Sequence, residues 1–249
     1  MNISTIGPFS LVNKSLQDLA QHPDAEIFKS IVMNSSLRER ETLVRLWLTE
    51  GIPYAFKSSA ATYDEMRRWL AARLRVHSKD VTLVGSARIG FSMKPTVFGR
   101  AFGKTSDLDL TIVNQDLFNA CQADAEKFSF DFSESQIIPR SETQKRNWED
   151  SVRRLPSMIK MGFIDTYLYP GNENYSVVKG IKDTMWRLTE RLKKTPDVPA
   201  PTKVTARVYR DWDALIERIS FNLASAQKEL STAPSISTHG RSLEPAIHA

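Results

Sequence analysis

The sequence predicts an α+β protein: a small mixed β-sheet flanked by helices, followed by a helical C-terminal part. Three observations predict it. The runs "VTLV" at 81–84 and "LDLTIV" at 108–113 are rich in β-branched residues or alternate in character with the two-residue period of strands. Met66, Trp69, Leu70 and Leu74, and later Val178, Ile181, Met185, Leu188 and Leu192, recur at the spacing of one helix face. Between such segments stand "GIP" at 51–53 and "TPDVPAP" at 195–201, which interrupt helices.

Taken in order, residues 1–35 read as an arm with helical turns around "SLQDLAQ" and "AEIFKSIVM". Ser36 with Glu39, and Thr62 with Glu65, have the capping-box spacing and predict helices over about 37–50 and 63–75. The strand at 81–84 breaks into a tight turn at Gly85, and the strand at 108–113 leads into the helix "NQDLFNACQADAEKF". "FSFDFS" then alternates, with Phe128, Phe130 and Phe132 on one face, and predicts a half-buried strand. A polar stretch and a basic helical segment precede "GFIDTYLYP", a further strand ending at Pro170. From about Tyr175 the pattern is helical, and a last helix over about 206–230 carries Trp212, Leu215, Ile219 and Leu223. The tail 231–249, rich in Ser and Pro, is expected to be disordered. The organisation expected is therefore an arm (1–35), a sheet domain (36–172), a helical part (173–230) and a tail.

The 249 residues are 25% charged and 9% aromatic, a composition that builds a folded core. No apolar run approaches the roughly 18 residues of a membrane span, and the N-terminus lacks the basic start and apolar stretch of a secretion signal, so a cytoplasmic protein is expected. Cys121 stands alone and reads as a small buried thiol. A single cysteine excludes an internal disulfide, and the four scattered histidines show no zinc-ligand spacing. The net charge is +5, and residues 139–194 carry 12 Lys and Arg against 7 Asp and Glu, either as solvated helix faces or as a surface for anions.

The chemistry lies in two short motifs. In a strand, residues i and i+2 stand about 7 Å apart on one face, so Asp107, Asp109 and Thr111 share a face opposite Leu108, Leu110 and Ile112. Carboxylates held so close repel, and they need cations, protons or a wet edge. A pair of Mg²⁺ ions about 3.5–4 Å apart fits such a separation and serves phosphoryl transfer. Asp-x-Asp by itself also occurs at solvated strand ends and in sugar-nucleotide glycosyltransferases. Upstream, Gly85 and Ser86 at a strand end offer close backbone approach and a hydroxyl, which suit a phosphate.

Together, Gly85-Ser86 and Ser106-Asp107-Leu108-Asp109-Leu110 resemble the nucleotidyltransferase superfamily of DNA polymerase beta, poly(A) polymerases, kanamycin nucleotidyltransferases and the cyclic-dinucleotide synthases of bacterial antiviral defence. The resemblance covers about residues 80–113, with a looser match at Asp165. It implies a nucleotidyltransferase palm over 36–172 and an enzyme that uses NTPs, ATP among them. Gly85 and Ser86 would bind phosphates, with Ser106 and Arg88 as further nucleotide contacts. Asp107, Asp109 and a third acid on a later strand would hold two Mg²⁺ or Mn²⁺ ions. Asp165 in "FIDTYLYP" is the choice for that acid, and Asp131 in "FSFDFS" is its rival. Lys179 and Lys182, on the helix after the third acid, would meet the triphosphate, and Tyr175 or Trp186 would stack on a base or pack in the core.

Two departures stand out. Ser86 and Asp107 are 21 positions apart, with the basic insertion "KPTVFGRAFGKT" between them, a surface loop or a nucleotide cover using Arg100 and Lys104. Phe91 stands where cyclic-dinucleotide synthases commonly have threonine. The reaction expected is transfer of a nucleoside monophosphate from an NTP to a hydroxyl with release of pyrophosphate. The acceptor would be a nucleotide, giving a short or cyclic oligonucleotide, or else a tRNA or other RNA end, or a protein. A non-catalytic partner in a toxin–antitoxin or defence pair, working with a protein encoded nearby, is the alternative.

Overall fold

The computed structural model describes residues 14–232. Within them four strands, β1 (Val81–Val84), β2 (Leu108–Val113), β3 (Phe163–Asp165) and β4 (Val204–Tyr209), form one mixed sheet in the order β1-β2-β4-β3. β1 runs antiparallel to β2, β2 parallel to β4, and β4 antiparallel to β3. The helices are α1 (Ala25–Asn34), α2 (Leu37–Leu43, continued by a π-helical stretch Val44–Thr49), α3 (Ala60–Leu74), α4 (Ser86–Ile89), α5 (Gln115–Ser133), α6 (Glu142–Lys160), α7 (Ser176–Lys193) and α8 (Trp212–Thr232). The α+β class with a small mixed sheet is thus as the periodicities predict. None of these helices is long and apolar enough to cross a membrane.

The register sorts the sheet into two faces, because residues directly opposed on neighbouring strands point the same way. Val81, Leu83, Leu108, Leu110, Ile112, Val204, Ala206, Val208 and Ile164 share one face and are buried in the main core. That core is closed by the apolar stripes of α3, α5 and α7, including Leu70, Cys121, Phe128, Ile181, Met185 and Leu188. The other face carries Val84, Asp109, Thr205, Arg207 and Asp165. At one end of this second face Val113, Phe163 and Tyr209 pack on Ala214 and Leu215 of α8. A further cluster ties α8, through Leu223, to Phe28, Ile31, Leu43, Leu48, Ile89 and Phe91. α8 therefore spans the polar face and is anchored at both ends.

Ser36 caps α2 in reciprocal exchange with Glu39, as its spacing predicts. Four other expectations need correction. α3 starts at Ala60, a turn ahead of Thr62, so Thr62 lies inside the helix rather than capping it. The "SLQDLAQ" segment holds only the 3-10 turn Lys14–Leu16. "FSFDFS" is no strand: it is the end of α5, in which Phe128 and Phe132, four apart, stack at 6.3 Å while Phe130 is left 57% exposed. A strand would have buried all three rings, worth about 1.5–3 kcal/mol each. The helix forgoes one ring and keeps its unbroken ladder from the Asn114 cap onward.

The fourth correction matters most. Residues 206–209, expected to begin the last helix, belong to β4, where Val204, Ala206 and Val208 alternate inward with Thr205 and Arg207 outward. The sheet thus draws a strand from beyond residue 172, out of the segment expected to be purely helical. Of the tail expected to be disordered, residues 231 and 232 end α8, and 233–249 lie outside the described residues.

Candidate functional site

Between the polar sheet face and α8 lies a cleft of about 850 Å³. Its floor comes from the ends of β1, β2, β3 and β4: Gly85, Ser86, Asp107, Asp109, Thr205, Arg207 and Asp165. Ile219, Asn222, Leu223 and Glu229 of α8 form the opposite wall, with Leu48 beside them. Ser106, Lys94, Arg100 and Lys203 also line it. Acids therefore stand on the floor, while three exposed cations on loops border the same space.

Gly85 turns the chain from β1 into α4 at φ 67°, ψ −148°, a conformation essentially reserved for glycine. The turn faces the aspartates: a Cβ built on Gly85 would stand 3.6 Å from Asp109 Oδ2. Asp109 is opposite Val84 on one side and Thr205 on the other, and the Thr205 hydroxyl donates to Asp109 Oδ1 at 2.6 Å. Asp107, one residue before β2, takes no hydrogen bond or salt bridge from another described residue. The Ser86 hydroxyl is likewise uncommitted. Ser106 is committed, since its Oγ accepts from the Gly103 amide at 3.0 Å and closes the turn that delivers the chain to Asp107.

Asp165 faces the same cleft from β3, but β4 lies between β3 and β2. Two strand spacings across the sheet and two residues along it put its backbone about 12 Å from that of Asp109. Its Oδ2 accepts from Arg207 Nη2 at 3.0 Å and its Oδ1 from the Tyr167 amide at 3.2 Å. Thr205 and Arg207 also line this cleft, though the sequence motifs do not single them out. The inward alternation of Val204, Ala206 and Val208 was the signal that would have set them on the opposite, polar face.

The remaining expected contacts scatter. Arg88 is only 1% exposed and donates to the carbonyls of Trp47 (3.1 Å) and Gly51 (2.6 Å), so it braces the end of the π-helical stretch rather than facing a nucleotide. Burial pulls its guanidinium down to about 10, against the pull of Tyr63 and Glu50. Lys179 pairs with Asp183 (3.0 Å) and Glu173 (3.5 Å), away from the cleft lining. Lys182 lines a neighbouring cavity, with its amine on the Tyr169 carbonyl. Asp131 is buried inside α5's packing, where it accepts from Lys127 (2.6 Å) and Tyr175 (2.8 Å), and so it is no rival third acid. Tyr175 is core, whereas Trp186 is 66% exposed. The Cys121 thiol is buried and pushed up to about 12, chiefly by burial.

The basic insertion forms an ordered loop, closed by Ser92 N to Arg100 O at 2.9 Å and Phe102 N to Gly90 O at 2.8 Å. Phe91, the departure from threonine, anchors it by packing on Phe28 and Phe98 with ring centroids 5.8 and 6.0 Å away. Arg100 reaches the cleft lining; Lys104 is not part of it.

The donor set of Asp107 and Asp109 suits Mg²⁺ or Mn²⁺: hard oxygens, one carboxylate uncommitted and the other held by a hydroxyl, with open space left by Gly85. Among the described residues no three His, Cys, Asp or Glu side chains gather closely enough to enclose a metal ion; Asp165 stands two strands from Asp109 and pairs with Arg207. Two carboxylates and substrate phosphates would have to share the coordination. Comparison with known proteins adds no relative: no family model, no curated protein and no solved structure matches this chain.

Proposed function

We propose that the chain is a divalent-metal-dependent nucleotidyltransferase whose sheet serves as the palm, moving a nucleoside monophosphate from an NTP to a hydroxyl acceptor and releasing pyrophosphate. One observation carries the reading. Asp107 and Asp109 stand without cationic partners on the floor of a cleft of about 850 Å³ that the Gly85–Ser86 turn also lines, with Asp109 beside Gly85. Two neighbouring carboxylates left uncompensated call for a cation, and the volume lies within the roughly 300–1,000 Å³ of sites that take a small molecule.

In this reading Asp107 and Asp109 hold the metal, and Thr205 fixes the orientation of Asp109. Mg²⁺ or Mn²⁺ bound there supplies Lewis-acid polarisation of the phosphoryl oxygens and neutralises triphosphate charge. The Ser86 hydroxyl meets a phosphate oxygen, and Lys94, Arg100 and Lys203 draw the polyanion into the cleft. The acceptor oxygen bonds to the α-phosphorus, the bond to the β-bridging oxygen breaks, pyrophosphate leaves, and the acceptor proton passes to a floor carboxylate or to water. Asp165, paired with Arg207, stands on the same floor two strands away from Asp109, on the side where the acceptor would lie.

A second reading, a non-catalytic protein of the same fold, is favoured by one observation: Asp165 is tied to Arg207 instead of joining the other two acids. Incubation with labelled NTPs and Mg²⁺ or Mn²⁺, in the presence of RNA and protein acceptors, separates the two. Pyrophosphate release together with a labelled product is expected, and mass spectrometry of that product identifies the acceptor. Absence of both across all acceptors would sink the enzymatic reading and leave the non-catalytic one.

A further inference from the structure

Beside the main cleft lies a second cavity of about 270 Å³, between α7 and the start of β4. Tyr167, Lys182, Trp186, Glu190, Lys193 and Lys203 line it. We propose that this groove seats a nucleotide of the acceptor, with its base on Trp186 and its phosphate among Lys182, Lys193 and Lys203, so that the acceptor is a single-stranded nucleic acid. The proposal rests on the nucleotidyltransferase reading and names its substrate class.

Four features carry it. First, Trp186 lies off the apolar stripe of α7 and is 66% exposed, a large aromatic face that the core does not use. A sequence-tolerant base-stacking platform needs such a face. Second, three lysines meet a single acid, and that acid, Glu190, is taken by Lys193 at 2.9 Å. Positive charge therefore remains over, part of it on Lys203, whose amine stands 3.9 Å from the centroid of the Tyr167 ring. Third, the position of Lys182 is built. Its stem passes Gly171 so closely that a Cβ there would fall 2.8 Å from Lys182 Cδ, and its amine is held on the Tyr169 carbonyl. Burial makes that charge costly, the nearby Asp165 offsets part of the cost, Lys203 adds to it, and an anion in the groove would lower it further.

Fourth, Tyr167 and Lys203 line both cavities, so a chain lying in the groove runs on into the cleft that holds Asp107 and Asp109. The groove is below the roughly 300–1,000 Å³ of sites that enclose a whole small molecule. One nucleotide unit of a longer strand fits that description better than a free NTP, which the larger cleft accommodates.

The test is fluorescence anisotropy of a fluorescein-labelled, ten-nucleotide single-stranded RNA of mixed sequence, in EDTA so that binding is read apart from turnover. Trp186→Ala is expected to weaken binding about tenfold, with recovery in Trp186→Phe. Lys182→Gln with Lys203→Gln is expected to weaken it and to flatten the plot of log affinity against log salt by about 0.7 per lost phosphate contact. No binding by the wild type, or unchanged affinity in the groove variants with unchanged thermal unfolding, overturns the groove and leaves the enzymatic reading standing. Groove-dependent binding without NTP turnover overturns the enzymatic reading and leaves a nucleic-acid site. With turnover present, label found on protein instead of RNA overturns the acceptor class.

Discussion

Thr205 and Asp109 are 96 residues apart in sequence and 2.6 Å apart in space. If that hydroxyl orients the metal-binding carboxylate, Thr205→Val, which keeps the shape and removes the donor, should weaken Mn²⁺ binding about 10–100-fold with the fold retained. Titration calorimetry reads it directly. Asp107→Asn with Asp109→Asn should abolish metal-dependent pyrophosphate release while leaving thermal unfolding unchanged or raised, because it removes mutual repulsion. Retained turnover would place the chemistry elsewhere. Lys182 gives a pH signature. Burial lowers its amine from the ordinary 10.5 to about 8, so between those values the unfolded chain binds the proton and the folded chain does not. Its contribution to stability therefore rises as pH climbs from 8 towards 10.5. Urea unfolding of the wild type and of Lys182→Met at pH 7 and pH 10 should show that rise in the wild type alone, after subtraction of everything the two share. Neighbouring Lys193, Lys203, Glu190 and Asp165 set the local field in both proteins.

At the scale of elements, what could be read in advance followed the strength of each periodic signal. β1, β2 and α7 announce themselves because their core-facing positions are mostly large and apolar at the period of a strand or a helix. Gly85 and the Asp-x-Asp pair stand out because each is a local anomaly, a glycine at a strand end and acids in an apolar run. β4 hid because its six residues alternate weakly, with Ala206 as the middle inward residue and Arg207 outward, and because α8 follows after two residues. The end of α5 misled for the opposite reason: three phenylalanines at even spacing imitate a strand, and only the fate of Phe130 distinguishes the two. Arg88 could not be placed at all from sequence, since its partners are backbone carbonyls contributed by residues 47 and 51. The β1–α4 turn offers a test at this scale. Gly85→Ala forces a side chain into a glycine-only conformation and should lower stability by about 1–3 kcal/mol in urea unfolding, and NTP binding should fall with it.

Across the whole molecule, the basic excess of residues 139–194 divides according to neighbours. Arg153 and Arg154 on α6 face Asp150, and Lys179 faces Asp183, so much of that charge is locally balanced. Lys182 and Lys193 belong to the groove instead. The charge count of the segment thus says little until the helices are folded, when a minority of its cations collect beside the one exposed tryptophan of α7.

The insertion of β4 between β2 and β3 also sets an order of events during synthesis. The ribosome delivers β1, β2 and β3 in sequence, yet β2 and β3 make no ladder with each other: β2 has β1 on one edge, and its other edge and the whole of β3 wait for residues 204–209 to emerge. At about 5–20 residues per second, the nascent chain holds its aspartates for some seconds beside an unpaired strand edge. A chain that stops ahead of β4 would carry both acids without the strand that brings Thr205 and Arg207 to the cleft.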